Sequence, residues 1–117
     1  MARLSTHVLD TSRGQAAAGM TVELYRFEGA ERIHCLTLRT NADGRTGQPL
    51  LSGDRIAAGR YEITFAAGAY FRALGVALPD PPFLDEIVVR FGIADATANY
   101  HVPLLVSPYG YSTYRGT

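Results

Sequence analysis

The sequence predicts an all-β sandwich in a single domain. Seven short stretches are apolar or alternate between polar and apolar residues, and clusters of turn-forming residues separate them. A βαβ fold would instead place long helical patterns between successive strands. A chain of 117 residues fits one domain and can bury about two-thirds of its unfolded surface. We therefore expect residues 1–117 to form one β-sandwich of seven to eight strands with one short helix.

The first third of the chain carries three of these strands. In the first strand, the two-residue period places His7 on the same face as Ser5 and Leu9. In the third strand, the same alternation places Cys35 on the face opposite Leu38. The predicted strands span residues 4–10, 20–27 and 32–40, and a hairpin turn at residues 28–31 joins the last two.

A turn-rich segment follows at residues 40–49. It has no apolar period, so Arg45 is predicted on a loop or on a very short strand. Loops that a rigid scaffold presents often carry function, which makes Arg45 a candidate site residue. Leu50 and Leu51 can add a short edge strand after this segment.

The strand with the clearest alternation lies near the middle of the chain. Tyr61, Ile63 and Phe65 are predicted to face the core, while the polar residues between them, including Glu62, are predicted to face water.

The last part of the chain adds the helix and three strands. In residues 66–74, Tyr70 and Leu74 stand at i and i+4, which indicates a helix of two or three turns at most. Pro103 cannot donate to a sheet ladder, so it must sit at a bulge or on an unpaired side of its strand. The predicted strands span residues 84–91, 99–106 and 109–114.

The charge balance argues against nucleic acid and anionic membranes as partners. Eleven acidic and eleven basic residues give a formal net charge of zero, and like charges do not cluster. Both kinds of partner are held chiefly through clustered positive charge. The sequence shows neither a signal-peptide pattern nor an apolar stretch of about eighteen residues, the length of a membrane span. We therefore expect a cytoplasmic protein.

The histidines and the cysteine bear on a possible metal site. Cys35 is the only cysteine, so an intramolecular disulfide is impossible and metal ligands would have to be His and carboxylates. His7 and His101 form a candidate pair, but a catalytic zinc requires three protein ligands. His34 is expected to be a surface or edge-strand residue. The sequence predicts a metal-independent site without a cofactor.

The end of the chain is unusually rich in aromatic and hydrogen-bonding groups. The last eleven residues hold three tyrosines and an arginine, although chain ends normally fray. Two interpretations stay open, a component of a site or an aromatic edge strand that completes a sheet. The ending Tyr114-Arg115-Gly116-Thr117 resembles the C-terminal Tyr-Arg-Gly-Ser signature of the transthyretin-related proteins that act as 5-hydroxyisourate hydrolases. Residues 101–113 and 4–10 are similar to the segment before that signature and to the family's first strand.

This resemblance implies a transthyretin-like β-sandwich and an active site. The family's two histidines and arginine fall on His7, Arg45 and His101 as catalytic residues. They would bind substrate together with the four terminal residues, Tyr114, Arg115, Gly116 and Thr117. Thr117 replaces the usual Ser, which keeps the hydroxyl and the carboxylate and adds a methyl group. The resemblance also implies a homotetramer, a dimer of dimers.

The implied reaction is hydrolysis of a ring amide of 5-hydroxyisourate. Either His7 or His101 can act as general base near neutral pH, and the sequence does not choose between them. Arg45 offers a planar guanidinium for carbonyl oxygens and for the developing oxyanion. One alternative is a small-molecule carrier of transthyretin type, whose channel would need apolar walls. A second is a noncatalytic module for protein interaction.

Overall fold

The structure, a computed structural model, describes residues 2–117. These residues form two β-sheets whose facing side chains share one hydrophobic core. The strands are β1 (Arg3–Asp10), β2 (Gln15–Ala16), β3 (Thr21–Glu28), β4 (Glu31–Arg39), β5 (Leu51–Ser52), β6 (Gly59–Phe65), β7 (Ile87–Ile93), β8 (Tyr100–Ser107) and β9 (Gly110–Thr113). The helix α1 spans Ala67–Ala73, and a single 3-10 turn spans Gly53–Arg55.

The sheet topology brings the two ends of the chain together. The first sheet has the order β2-β1-β8-β9, and β5 also pairs with β1. Within it, β1 and β8 are parallel neighbours, with Ser5 opposite His101. The second sheet has the order β4-β3-β6-β7, and all of its pairs are antiparallel. The fold prediction is confirmed, with two two-residue strands in addition to seven longer ones.

The core lies between the sheets. Leu4 and Val8 contribute from β1, Val22 and Leu24 from β3, and Phe65 from β6, and all five are fully buried. Truncating one of the larger side chains to Ala would cost about 2–5 kcal/mol, because it removes buried surface and leaves a cavity. Among residues 2–117, no helix is long and apolar enough to cross a membrane.

Helix α1 has two turns, as the sequence predicts, but the next strand begins later than expected. β7 starts at Ile87, not at residue 84. The main-chain carbonyl of Asp85 accepts a hydrogen bond of 2.8 Å from the amide of Gly68 in the first turn of α1. The segment before Ile87 is therefore tied to the helix and does not join the sheet ladder.

The predicted placement of Cys35 is wrong. Leu24 pairs with Leu36 and Tyr25 pairs with His34, so Cys35 is an extra residue in the β3–β4 ladder. Such a β-bulge breaks the two-residue period of the bulged strand. Cys35 consequently packs against the core on the same side as Leu36 and Leu38.

The prediction that Glu62 faces water is also wrong. Glu62 lies on the outer face of the second sheet, as its alternation indicates, yet it is 0% exposed. Its carboxylate accepts hydrogen bonds from Arg32 at 2.7 Å and from Arg90 at 3.0 Å. These long side chains cover the carboxylate and neutralise it, which removes the usual penalty for burying a lone charge.

Candidate active site

The parallel pairing of β1 and β8 fixes the position of His101. Ser5 and His101 are direct partners in this ladder although 96 positions separate them in the sequence. The Oγ atom of Ser5 lies 2.8 Å from Nδ1 of His101, which is hydrogen-bond distance. Both side chains are half-buried. One edge of the imidazole ring is therefore held by the first strand of the protein.

The end of the chain lies along the other side of β8. The ladder between β8 and β9 ends at Leu104 and Thr113, and a further bridge in the same register joins His101 to Gly116. Pro103 lies at the interruption, where its missing amide proton leaves the ladder unpaired. This placement confirms the prediction of an unpaired side. Past the interruption, the amide of Gly116 donates to the carbonyl of His101 at 2.7 Å.

Gly116 is packed closely against the imidazole of His101. A Cβ atom added at Gly116 would lie 2.7 Å from Cδ2 of His101 and 3.3 Å from Cγ of Pro103. A carbon atom cannot lie 2.7 Å from another without a steric clash, so any other residue at this position would displace the ring or the chain end. The imidazole is thus held between Ser5 at Nδ1 and Gly116 at Cδ2, which leaves Nε2 and Cε1 for the open side.

A tight loop carries Arg45 to the same place. The side-chain oxygen of Asn41 accepts hydrogen bonds from the amides of Asp43 and Arg45, at 2.9 and 3.2 Å. Gly44 has φ +75°, and its carbonyl accepts a bond of 2.8 Å from the amide of Val8 in β1. A Cβ at Gly44 would clash with the carbonyl oxygen of Val8. The loop can therefore lie against β1 only with glycine at this position.

His7 is bonded to this loop. Its Nε2 atom lies 2.8 Å from the main-chain oxygen of Asp43. A carbonyl oxygen can only accept, so Nε2 of His7 carries a proton and donates it. Residues His7 and Ser5 share a face of β1, as predicted, and both point to the side of the sheet where the loop lies.

The environment of His101 favours a neutral ring. Burial lowers the pKa of His101, and the positive charges of Arg45 and of His7 lower it further. The main chain of Ser5 acts in the opposite direction. A histidine with a lowered pKa is unprotonated near neutral pH and can accept a proton.

An open cavity of about 1060 Å³ lies at this position. His101, Ser5 and the residues 115–117 line it from one side, and the loop that carries Arg45 lines it from another. Three arginines are among its lining residues, Arg3, Arg45 and Arg115. Arg3 on β1 was not identified from the sequence. Such a cavity suits a small polar molecule that carries several oxygen atoms or a negative charge.

Arg115 is held by two contacts from the start of β8. Its Nη2 donates to the carbonyl of Asn99 at 3.2 Å, and its guanidinium carbon lies 4.2 Å from the ring centroid of Tyr100. The second contact is a cation–π interaction. These contacts fix the direction of the guanidinium, and Arg115 lines both this cavity and a smaller groove beside Tyr100 and Tyr114.

The structure brings most of the expected residues together. Arg45, His101, Arg115, Gly116 and Thr117 line one cavity, and His7 lies beside it through its bond to Asp43.

Tyr114 lies apart from this cavity in the single chain. It is 59% exposed and lines a smaller groove with Phe91, Tyr100 and Val102.

Ser5 at the cavity was not identified from the sequence as a site residue. The only signal for Ser5 is the face that it shares with His7, because its partner on β8 is distant in the sequence.

Comparisons with known proteins agree with this architecture. A family model described as HIUase/Transthyretin family matches residues 4–116. The chain is 58% identical over 115 residues to 5-hydroxyisourate hydrolase 2 of Rhizobium meliloti (strain 1021), covering 98% of this chain and 96% of that relative. It is 55% identical over 117 residues to the 5-hydroxyisourate hydrolase of Pseudomonas aeruginosa, covering 100% and 93%.

Two solved structures resemble the chain closely. The structure of Klebsiella pneumoniae 5-hydroxyisourate hydrolase has a TM-score of 0.82 and 38% identity, and the match covers 100% of both chains. A crystal structure of (S)-allantoin synthase has a TM-score of 0.93 and 44% identity. The match covers 99% of this chain but only 44% of that one. On the family match and on these full-length identities, the chain belongs to the HIUase/Transthyretin family.

Proposed function

We propose that this chain hydrolyses 5-hydroxyisourate to 2-oxo-4-hydroxy-4-carboxy-5-ureidoimidazoline in urate degradation. Relatives named for this activity are 55–58% identical over nearly the full chain. The observation that carries the proposal is the cavity at which His101, with its lowered pKa, meets Arg45 and the chain end. This arrangement supplies a base and a positive charge for opening a ring amide.

His101 is the general base. Its Nδ1 is engaged by Ser5, so Nε2 is the nitrogen available to take a proton from water. Nε2 of His7 already carries a proton and donates it to Asp43, so this nitrogen cannot serve as a base. His7 instead anchors the loop that holds Arg45.

The reaction then follows from these positions. Water loses a proton to Nε2 of His101, and its oxygen attacks the ring carbonyl. The guanidinium of Arg45 stabilises the tetrahedral oxyanion with fixed donors. When the oxyanion collapses, the carbon–nitrogen bond breaks and the nitrogen takes the proton from His101. The products are a carboxylic acid, which ionises, and a ring-opened N–H group.

The terminal residues bind the substrate. Arg115 is held by Asn99 and Tyr100 at the wall of the cavity, which Gly116 and Thr117 complete. Three arginines among the lining residues favour a polar heterocycle over the apolar ligand of a carrier. A small-molecule carrier of transthyretin type is therefore the less supported function.

The direct test uses substrate made in place. Urate oxidase generates 5-hydroxyisourate, and its ultraviolet decay is followed with and without this protein. Faster decay with the protein is the expected result, and an unchanged decay rate would reject the proposed function.

Metal ions take no part in this proposed mechanism. Nε2 of His7 is hydrogen-bonded to Asp43, and Nδ1 of His101 is hydrogen-bonded to Ser5. These two nitrogens are therefore not available to a metal ion. The expected result is full activity after prolonged chelation and removal of the chelator. A loss of activity that zinc restores would show that a metal ligand set exists.

The assembly proposed here is a homotetramer in the cytoplasm, a dimer of dimers. Strands β7 and β9 end the two sheets, and large side chains beside β9 are exposed, among them Phe83 at 70% and Tyr109 at 63%. Edge strands with exposed aromatic side chains are suited to pairing with another copy. Light scattering after size exclusion should give a mass of four chains, and subcellular fractionation tests the location.

A further inference from the structure

The hydroxyl of Ser5 takes no direct part in the proposed reaction steps, yet it contacts the general base. It is the side-chain partner of Nδ1 of His101, at 2.8 Å, and it lines the same cavity. Strand pairing places the two residues directly opposite each other on β1 and β8, so the contact is built into the sheet. The strand pairing and the hydroxyl together restrict rotation of the imidazole ring.

The chain end lies close to the opposite edge of the ring. The chain end packs against Cδ2 and Cγ of His101, where a Cβ at Gly116 would clash. With Nδ1 held by Ser5 and Cδ2 beside Gly116, Nε2 is the ring nitrogen left for the substrate. The direction of the hydrogen bond then decides whether Nε2 is a base or a donor.

We propose that Ser5 is the positioning residue of the general base, accepting the Nδ1 proton of His101 so that the Nε2 lone pair faces the cavity. This inference rests on the proposed function. It is supported by the 2.8 Å contact between Oγ of Ser5 and Nδ1 of His101 and by the strand pairing that sets the two residues opposite each other. The hydroxyl proton of Ser5 remains available for the cavity, because Oγ both donates and accepts.

The kinetic test compares Ser5→Ala with Ser5→Thr and with Ser52→Ala. Ser5→Ala removes the acceptor, so kcat should fall by about ten- to a hundredfold while KM changes little. This loss is a part of what a general base contributes to the rate. Ser5→Thr keeps a hydroxyl and should recover most of kcat. Ser52 is exposed on β5 of the same sheet, so Ser52→Ala should match the parent. Thermal melts are measured for every variant.

The second readout is the proton position itself. Nitrogen-15 NMR of labelled histidine, with His101 assigned by its loss in His101→Gln, should show a protonated Nδ1 and a bare Nε2 in the neutral parent. In Ser5→Ala the fraction protonated at Nε2 should rise. If the hydroxyl is only structural, Ser5→Ala should lower the melting temperature without changing the proportions of the two tautomers of His101.

The outcomes separate this inference from the proposed function. If the parent accelerates substrate decay and Ser5→Ala stays within twofold of it, the role of Ser5 is overturned and the function stands. A parent ring with its proton on Nε2 overturns the role of Ser5 as well, even if Ser5→Ala is slow. A parent that does not accelerate decay overturns both.

Discussion

Arg45 shows how a solvent-exposed residue can be positioned as well as a buried one. Its side chain is exposed, but its main chain is fixed by Asn41, and the adjacent Gly44 is fixed by Val8. The guanidinium therefore starts from a rigid backbone, which lowers the conformational cost of binding an oxyanion.

Replacing Arg45 by lysine should slow catalysis strongly although the charge is kept. An ammonium group is a point charge and cannot donate two parallel hydrogen bonds to neighbouring oxygens. We expect kcat to fall on the order of a hundred- to a thousandfold, as for loss of an oxyanion donor. Arg55→Lys, also exposed and in the 3-10 turn, is the matched control and should be silent. Activity of Arg45→Lys within a few-fold of the parent would make Arg45 an ordinary solvated residue.

The pH dependence should report the environment of His101. The base must be neutral to act, and burial, Arg45 and His7 lower the pKa of His101 from its ordinary value of 6.5. Protonation therefore sets in at lower pH than for a free histidine, and the acid limb of kcat/KM should lie below pH 6.5. In Arg45→Gln one of the causes is removed, so the limb of the residual activity should move upward.

The pH profile needs urate oxidase in excess at every pH, so that substrate supply is never limiting. An acid limb at or above pH 6.5 in the parent would contradict His101 as the base. An unmoved limb in Arg45→Gln would show that Arg45 does not act on it.

At the residue scale, the sequence could indicate a candidate site but not its internal contacts. His7, His101 and Arg45 were predictable because a resemblance marks them. The contact between Ser5 and His101 depends on which strands are neighbours, and alternation along one strand carries no such information. The exposed position of Tyr114 depends in the same way on a ladder that stops at Pro103.

At the scale of single elements, β6 departs most from its sequence pattern. Glu62 occupies a polar position in the alternation, and its neighbours on β3 and β7 are Tyr25 and Arg90. Burial alone would raise the pKa of Glu62, but hydrogen bonds from Arg32, Arg90 and Thr64 outweigh it, and the net shift is downward. Alternation predicts the face of a side chain correctly here, yet it cannot show that two arginines from other strands will cover that face.

Glu62→Gln should destabilise the fold in a pH-dependent way. Because the folded pKa lies below the ordinary value of 4.5, the carboxylate contributes stability above that pH. This contribution is lost as pH falls through the folded pKa. We expect the free energy of unfolding at pH 7 to drop by about 1–3 kcal/mol, with a smaller difference below about pH 4. Urea denaturation of both proteins at the two pH values measures it.

The matched control for this change is Glu28→Gln. Glu28 pairs with Arg26 at 3.5 Å, and both side chains are about half exposed. Exposed pairs of this kind contribute about 0–1 kcal/mol. Equal costs for the two variants would mean that the buried carboxylate is no better than a surface one.

At the scale of the whole molecule, the candidate site forms because distant segments meet beside the paired inner strands β1 and β8 of the first sheet. The first strand supplies Ser5 and His7, β8 supplies His101, and the chain end continues beside β8. The sequence indicates a sandwich through local periodicity. It does not show that β1 and β8 are parallel neighbours, because that pairing is set by packing of the complete core.

The chain end can be both an edge strand and a site component. Residues 110–113 form the edge strand β9, and residues 115–117 line the cavity, so the two interpretations apply to different parts of one segment. Within a single chain this segment is exposed, and Tyr111 and Tyr114 are 46% and 59% accessible. Its aromatic content is explained if other copies cover it in the proposed tetramer.

Deleting residues 114–117 should therefore abolish turnover while the sandwich stays folded. β9 ends at Thr113 and the core is complete without the tail, so the melting temperature should change by only a few degrees. The loss of Arg115 and of the wall beside His101 should lower kcat/KM by more than about a hundredfold.

Two further changes at the chain end test the same assignment. Thr117→Ser, which keeps the hydroxyl and carboxylate, should leave kcat/KM nearly unchanged. A C-terminal tag should impair activity more than an N-terminal one. Steady-state rates, melts and light scattering are compared for each variant. Full activity after the deletion would reject the terminal residues as part of the site. A large fall in the melting temperature would show that they act only through the stability of the fold.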